Sequence, residues 1–140
     1  MAELRTDLPQ VLAILGSSDV CDRVEAPAGS ALLRLAPNEA MLVGTDDADG
    51  VRADVPGAAL VEAVSDAWTS FVLEGPDASE AFAQVSELRL PETGWLQGDV
   101  AAAAAKVLVE AGTITILVPA NLAAHVEERI RADAAEVLTR

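Results

Sequence analysis

Acid–base, nucleophilic and metal chemistry need imidazole, thiol, carboxylate or hydroxyl groups gathered at matched pKa and close geometry. This sequence is poor in the first two, with His125 its only histidine and Cys21 its only cysteine. His125 lies beside an apolar stripe in a helical stretch, where a lone imidazole reads as a partly exposed helix residue rather than a general base. Cys21 stands between Val20 and Asp22 with Arg23 as its one basic neighbour, so nothing local lowers its pKa into the reactive range, and it reads as a small buried hydrophobe. One residue of each type cannot make a zinc set. The residues therefore predict no catalytic group and no metal site on this chain.

Two further patterns resemble binding loops at first inspection. Thr45, Asp47 and Asp49 place oxygens at alternate positions with Gly50 sixth, as in the opening of a calcium loop. The twelfth position, where a bidentate Glu would close the shell, is Pro56, so the stretch reads as a solvated acidic loop. Gly94 and Gly98 flank Trp95, Leu96 and Gln97 without a following Lys-Ser or Lys-Thr, which excludes a phosphate loop and suggests a bend between elements. Trp68 and Trp95 are the side chains a partner surface would use, because amphipathic aromatics dominate interface energetics; packing in the core is the other role open to them.

The totals narrow the field of partners. A net charge of −14, with nine basic residues in 140, disfavours nucleic acid and anionic lipid, since both are bound by Lys and Arg neutralising phosphates. A single cysteine excludes an intramolecular disulfide and suits a reducing compartment, so the cytoplasm is the expected location. Met1–Asp7 carries charges where a signal peptide needs an apolar run, and no stretch approaches a membrane span. Only Phe71, Phe82, Trp68 and Trp95 are aromatic, so the core must be built from Ala, Val, Leu and Ile.

The elements that must carry these residues can be read in order. Residues 7–15 read as a short helix, with Asp7 as cap, Pro9 in the first turn and Gly16 as stop. Ala31–Leu35 and Met41–Val43 form a hairpin around Ala36–Glu39, and 44–57 is a surface loop and the expected mobile segment. Strands follow at Leu60–Val64 and Thr69–Leu73, the second turning through Glu74, Gly75 and Pro76 into a helix over Asp77–Ser86. Ala101–Ala105 extends the first strand of a hairpin closed by Ala111 and Gly112, whose second strand is Thr113–Val118. Leu122, Val126, Ile130, Ala134 and Leu138 recur every four residues and mark a C-terminal amphipathic helix, with Glu127, Glu128, Arg131 and Glu136 outward. The whole predicts an α+β chain, one two-layer domain over residues 1–140, with helices packed on a largely antiparallel sheet.

Several of these segments, taken in order, resemble the gamma subunit of heterotetrameric sarcosine oxidase, a small relative of the folate-binding aminomethyltransferase fold. That family's hairpin motif is matched by Leu35, Ala36, Pro37, Asn38, Glu39, Ala40, Met41, Leu42 and Val43, with Asn38 in place of Asp and Ala40 in place of Trp. Its Val-Ser-Asp strand entry is matched by Val64, Ser65 and Asp66, and its Leu-x-Gly-Pro-x-Ala turn by Leu73, Glu74, Gly75, Pro76, Asp77 and Ala78. A Leu-x-Leu-Pro piece at Leu88–Pro91, then Gly98 and the strand through Lys106 to Val109, continue the resemblance, which spans about residues 30–138.

The resemblance implies a non-catalytic small subunit of a folate-linked flavoprotein oxidase or demethylase. It implies that FAD, FMN, NAD and tetrahydrofolate sit on larger catalytic subunits, none of them bound by this chain alone, and it carries over no site residue. Trp68 and Trp95 remain the candidates for the partner interface. Other readings open at this point are a free-standing folate-binding or one-carbon carrier domain and a subunit of a paralogous demethylase with another methylated substrate.

Overall fold

The computed structural model describes residues 1–55, 57 and 60–139. Its strands, in chain order, are β1 (Glu3–Asp7), β2 (Val11–Leu15), β3 (Ala31–Ala36), β4 (Glu39–Val43), β5 (Leu60–Ala63), β6 (Trp68–Glu74), β7 (Gly94–Val100), β8 (Ala103–Glu110) and β9 (Thr113–Pro119). The helices are α1 (Ser18–Asp22), α2 (Ala48–Asp54), α3 (Ala78–Ala83) and α4 (Ala123–Asp133). The chain is α+β, with helices packed on antiparallel sheets, as the sequence predicts. Its contacts fall into two units, one of Met1–Leu8 with Ala67–Arg140 and one of Pro9–Asp66, each with its own sheet.

Alternation builds the sheet of the first unit, ordered β1-β6-β9-β8-β7. Along β8, Ala103, Ala105, Val107 and Val109 are buried while the residues between them are not, the period of two that a pleated strand imposes. The buried face continues through Phe71 and Leu73 of β6 and Ile114, Ile116 and Val118 of β9. Onto it pack Ala78, Ala81 and Phe82 of α3 and Val126 and Ile130 of α4. Phe71 and Phe82, 0% and 1% exposed, are the largest side chains in this otherwise aliphatic core, and each contributes about 1.5–3 kcal/mol by its burial. The α4 stripe is as expected, although the helix ends at Asp133, and Ala134 reaches the core from the turn that follows and Leu138 from its bridge to Ala2.

Both hairpin turns of this sheet need left-handed backbone. Ala111 (φ 50°) and Gly112 (φ 80°) join β8 to β9, the two-residue geometry whose twist matches the strands and which favours glycine. Ala101 (φ 51°) and Ala102 (φ 63°) join β7 to β8 with no glycine at all. An L-residue there crowds its Cβ against the carbonyl, at about 1–2 kcal/mol each. Ala101–Ala105 was expected as one strand; only Ala103–Ala105 is strand, because Val100 pairs with Ala103 and forces the first two alanines into the turn. The expected bend at Gly94–Gly98 is instead part of β7. Leu88 packs against the Gly98 position so closely that a Cβ there would collide with it, so that glycine serves packing rather than flexibility.

The second unit has the sheet β3-β4-β2-β5 with α1 and α2 against it. The helix expected over residues 7–15 is two strands, β1 and β2, with Pro9 between them. Val11–Leu15 is a five-residue apolar run between β4 and β5, with Val11, Leu12 and Ile14 buried, and such a run is too short for a helix and suits a central strand. The expected hairpin of residues 31–43 forms, with a register shift between Arg34 and Ala36. Arg34 holds its turn: Nε donates to the Ala36 carbonyl at 2.9 Å, one terminal nitrogen donates to the Pro37 carbonyl at 2.6 Å, and the other pairs with Asp22 at the end of α1 at 2.8 Å.

The stretch 44–57, expected as a loop, contains α2. Asp47 caps it by accepting from the Gly50 amide at 3.0 Å, satisfying a donor that a helix start leaves free. Val51 and Val55, one turn apart, enter the core. No helix among the described residues is long and apolar enough to cross a membrane.

Three substitutions test this account by urea unfolding. Ala102→Gly, at an exposed position with φ 63°, is expected to stabilise by about 0.5–1 kcal/mol, the relieved strain exceeding the added chain entropy. Phe82→Ala should cost about 3–5 kcal/mol. Arg34→Ala should cost about 1–2 kcal/mol through the lost turn and helix contacts.

Candidate functional site

The side chains that could do chemistry are not brought together. His125 lies on the first turn of α4, exposed, with Nε2 3.2 Å from the Ala101 carbonyl. A carbonyl only accepts, so the ring donates through Nε2. The imidazole thereby pins the strained β7–β8 turn, which is also held by the Ala101 amide donating to the Val85 carbonyl at 2.8 Å. Cys21 is 1% exposed in α1, consistent with a small apolar side chain rather than a nucleophile.

Asp47 and Asp49, together with Thr45, are committed to local structure. Asp47 caps α2, Asp49 pairs with Arg52 at 2.7 Å, and Thr45 accepts from the Asp47 amide through its hydroxyl at 3.2 Å. Pro56 lies outside the described residues. Among the described residues no three His, Cys, Asp or Glu side chains are placed to hold a metal ion.

The two tryptophans do share a surface. Trp68 of β6 and Trp95 of β7 both alternate away from the residues that contact α3 and α4, so both lie on the sheet face opposite the helices. Registers place Arg5, Val72, Thr115, Leu108 and Trp95 in one row across the five strands, and Asp7, Ser70, Leu117, Lys106 and Gln97 in the next. Trp68 faces Pro119 one row beyond. Trp68 and Trp95 are half-buried, while Ser70, Val72 and Leu117 between them are buried. At the β1 rim, Arg5 pairs with Glu74 and Asp7, and the hydrogen bond to Glu74, backed by Asp7, holds its guanidinium above the ordinary value.

Sequence reasoning missed Lys106. Its ammonium stands over the Trp68 ring, 5.0 Å from the centroid, within range of a cation–π attraction. It is the one lysine in the chain, and that rarity in so acidic a composition was the available clue.

Two of the larger concavities among the described residues lack the lining a flavin or a pterin needs. Such rings need an apolar or aromatic slot with a few convergent polar groups. A groove of about 580 Å³ between the end of α3 and the β7–β8 turn is lined by small residues such as Ala83, Ala101 and Ala102, with Asp99 and Arg129 at its sides, and has no aromatic wall. A second, of about 640 Å³ beside α2, is bordered by Asp22, Glu25 and Asp54 and would repel a carboxylated ligand. Among the described residues no buried side-chain polar atom lacks a partner.

No protein-family model matches the chain, and no curated protein sequence does. Solved structures do. A chain of the heterotetrameric sarcosine oxidase from Corynebacterium sp. U-96, in complex with pyrrole 2-carboxylate, superposes with a TM-score of 0.80, covering 96% of this chain and 84% of that one at 15% identity. This is the fold of a sarcosine oxidase subunit. The sarcosine oxidase-type fold extends over nearly the whole chain, further than the residues 30–138 on which the sequence resemblance rests. A C-terminal regulatory domain of aspartate kinase from Porphyromonas gingivalis W83 gives a TM-score of 0.50 at 7% identity, covering 96% of this chain and 97% of that one. Aspartokinase alpha and beta subunits give 0.50 at 10% identity, covering 96% and 98%.

Two outcomes follow for the lone reactive groups. Cys21 should resist a thiol reagent in the folded protein and react fully in urea. His125→Ala should lower unfolding stability by about 1 kcal/mol, the value of one hydrogen bond to the turn.

Proposed function

We propose that this chain is a non-catalytic small subunit of a multi-subunit, folate-linked flavoprotein oxidase or demethylase of the sarcosine oxidase type, and that it acts by assembling with larger catalytic subunits. The observation that carries the reading is the TM-score of 0.80 with a chain of heterotetrameric sarcosine oxidase, against 0.50 for an aspartate kinase regulatory domain and 0.50 for aspartokinase subunits. Covering 84% of that chain, this one matches a polypeptide of its own size class rather than a fragment of a large catalytic subunit. The dispersed His125 and Cys21 and the acidic or alanine-lined grooves support an accessory role. FAD, FMN, NAD and tetrahydrofolate would then belong to the partner subunits, which would carry the oxidation of an N-methyl amine. This chain contributes apolar and aromatic surface, for which the half-buried Trp68 and Trp95 are the candidate residues; subunit interfaces of this kind bury roughly 2,000 Å² or more.

Affinity purification of the tagged chain from its native host, with mass spectrometry and a visible absorbance scan of the eluate, tests the proposal. Large flavoprotein subunits are expected in the eluate, with flavin bands and turnover of a methylated amine. A colourless chain eluting alone as a monomer would overturn the reading.

A further inference from the structure

We infer that β1 is a strap on the first unit and that the second unit, by folding, holds this strap shut. The first unit is split along the chain: β1 belongs to its sheet, yet the whole of Pro9–Asp66 intervenes before β6. β1 is the edge strand, laid against β6 from Glu3 opposite Glu74 to Asp7 opposite Ser70. Closing it against an unfolded intervening loop costs chain entropy that grows with the logarithm of the loop's length.

The second unit removes most of that loop when it folds. Its order β2-α1-β3-β4-α2-β5, with the sheet β3-β4-β2-β5, is a complete β-α-β-β-α-β unit, so its first and last strands are neighbours. β2 and β5 run antiparallel, with Leu12 opposite Ala63. Their pairing is tied off where the chain enters and leaves: the Val64 amide donates to the Val11 carbonyl at 2.8 Å, and the Val11 amide donates to Ser65 Oγ at 2.9 Å. Entry and exit therefore stand side by side, the arrangement by which one unit is inserted in another without breaking it. Within the first unit, Ser70 Oγ donates to the Asp7 carbonyl at 3.3 Å, at the start of the β1–β6 ladder. Folding of Pro9–Asp66 shortens the path between β6 and β1 from about sixty residues to about five, which raises the effective concentration of β1 at its site about fortyfold. The coupling is reciprocal, since closing β1 also holds the ends of β2 and β5 together. Opening of the second unit releases the strap, while β8 and β9 stay paired with each other.

The chain carries its own reporter of the second unit, because its sole thiol, Cys21, is buried in α1. Thiol labelling of Cys21 in low urea is compared with hydrogen exchange of Met1–Leu8 and of Thr113–Pro119, read by mass spectrometry on the full chain. A Gly-Ser insertion of roughly twenty residues between Leu8 and Pro9 lengthens the connector without altering either core. Exchange of Met1–Leu8 should then be about tenfold faster, with Cys21 labelling and Thr113–Pro119 exchange within twofold of the wild type. Without the clamp the same insertion lengthens an already long loop by about a third and changes exchange less than twofold; that result overturns the inference. Val51→Ala, in the core of the second unit, is the second variant: Cys21 labelling and Met1–Leu8 exchange should accelerate together while Thr113–Pro119 keeps its protection. Faster labelling of Cys21 with Met1–Leu8 unchanged, or all three segments opening as one, also overturns it.

Discussion

The first unit depends on one constraint, the burial of Phe71 and Phe82 in a single core that is aliphatic in every other part. Helix α3 is only six residues long, too short to persist in water by propensity, and it exists because Phe82, Ala78 and Ala81 are held on the sheet. Small residues of β8, Ala103 and Ala105, belong to the same core. Packing at this closeness transmits changes in volume, so the alanines of β8 are as much a part of the fit as the phenylalanines. The β7–β8 turn accepts left-handed alanines under the same constraint: Ala101 is 2% exposed and belongs to the core it turns around.

Much of this was legible in the sequence where local pattern and tertiary role agree. The hairpins of residues 31–43 and 107–118, strand β6, helix α3 and the stripe of α4 all follow from turn residues and period. The misreadings have a common origin in contacts distant in the chain. Val11–Leu15 is a strand only because β4 and β5, which come later in the sequence, flank it. Helix α2 is masked in the sequence by its acidic residues, although Asp47 as a cap and Val51 and Val55 at helical spacing encode it. Strand β7 was masked by its two glycines, and with it the fact that Trp95 and Trp68 share a face, which requires the strand order of the whole sheet.

Charge is distributed with little ion pairing. The seven ion pairs among the described residues are all partly solvent-exposed, so each adds little to stability. Three of them are i,i+3 or i,i+4 pairs on α2 and α4, supporting helices rather than joining distant segments. The surplus of carboxylates is therefore free to act at longer range, discouraging association with acidic surfaces and with other copies of the chain.

The N-terminal strand also dictates an order of events during synthesis. β1 forms the edge of its sheet against β6, and the Ala2 amide and carbonyl bond to Val137 and Thr139. On a ribosome, Pro9–Asp66 emerges whole and can form its own sheet early, whereas Met1–Leu8 must wait for a strand made after it and then for the residues beyond α4. During that interval the nascent chain carries β1 as an unpaired β-strand, the kind of edge that invites misassociation. Glu3, Arg5 and Asp7, alternating along that strand, place charge on one of its faces throughout the wait.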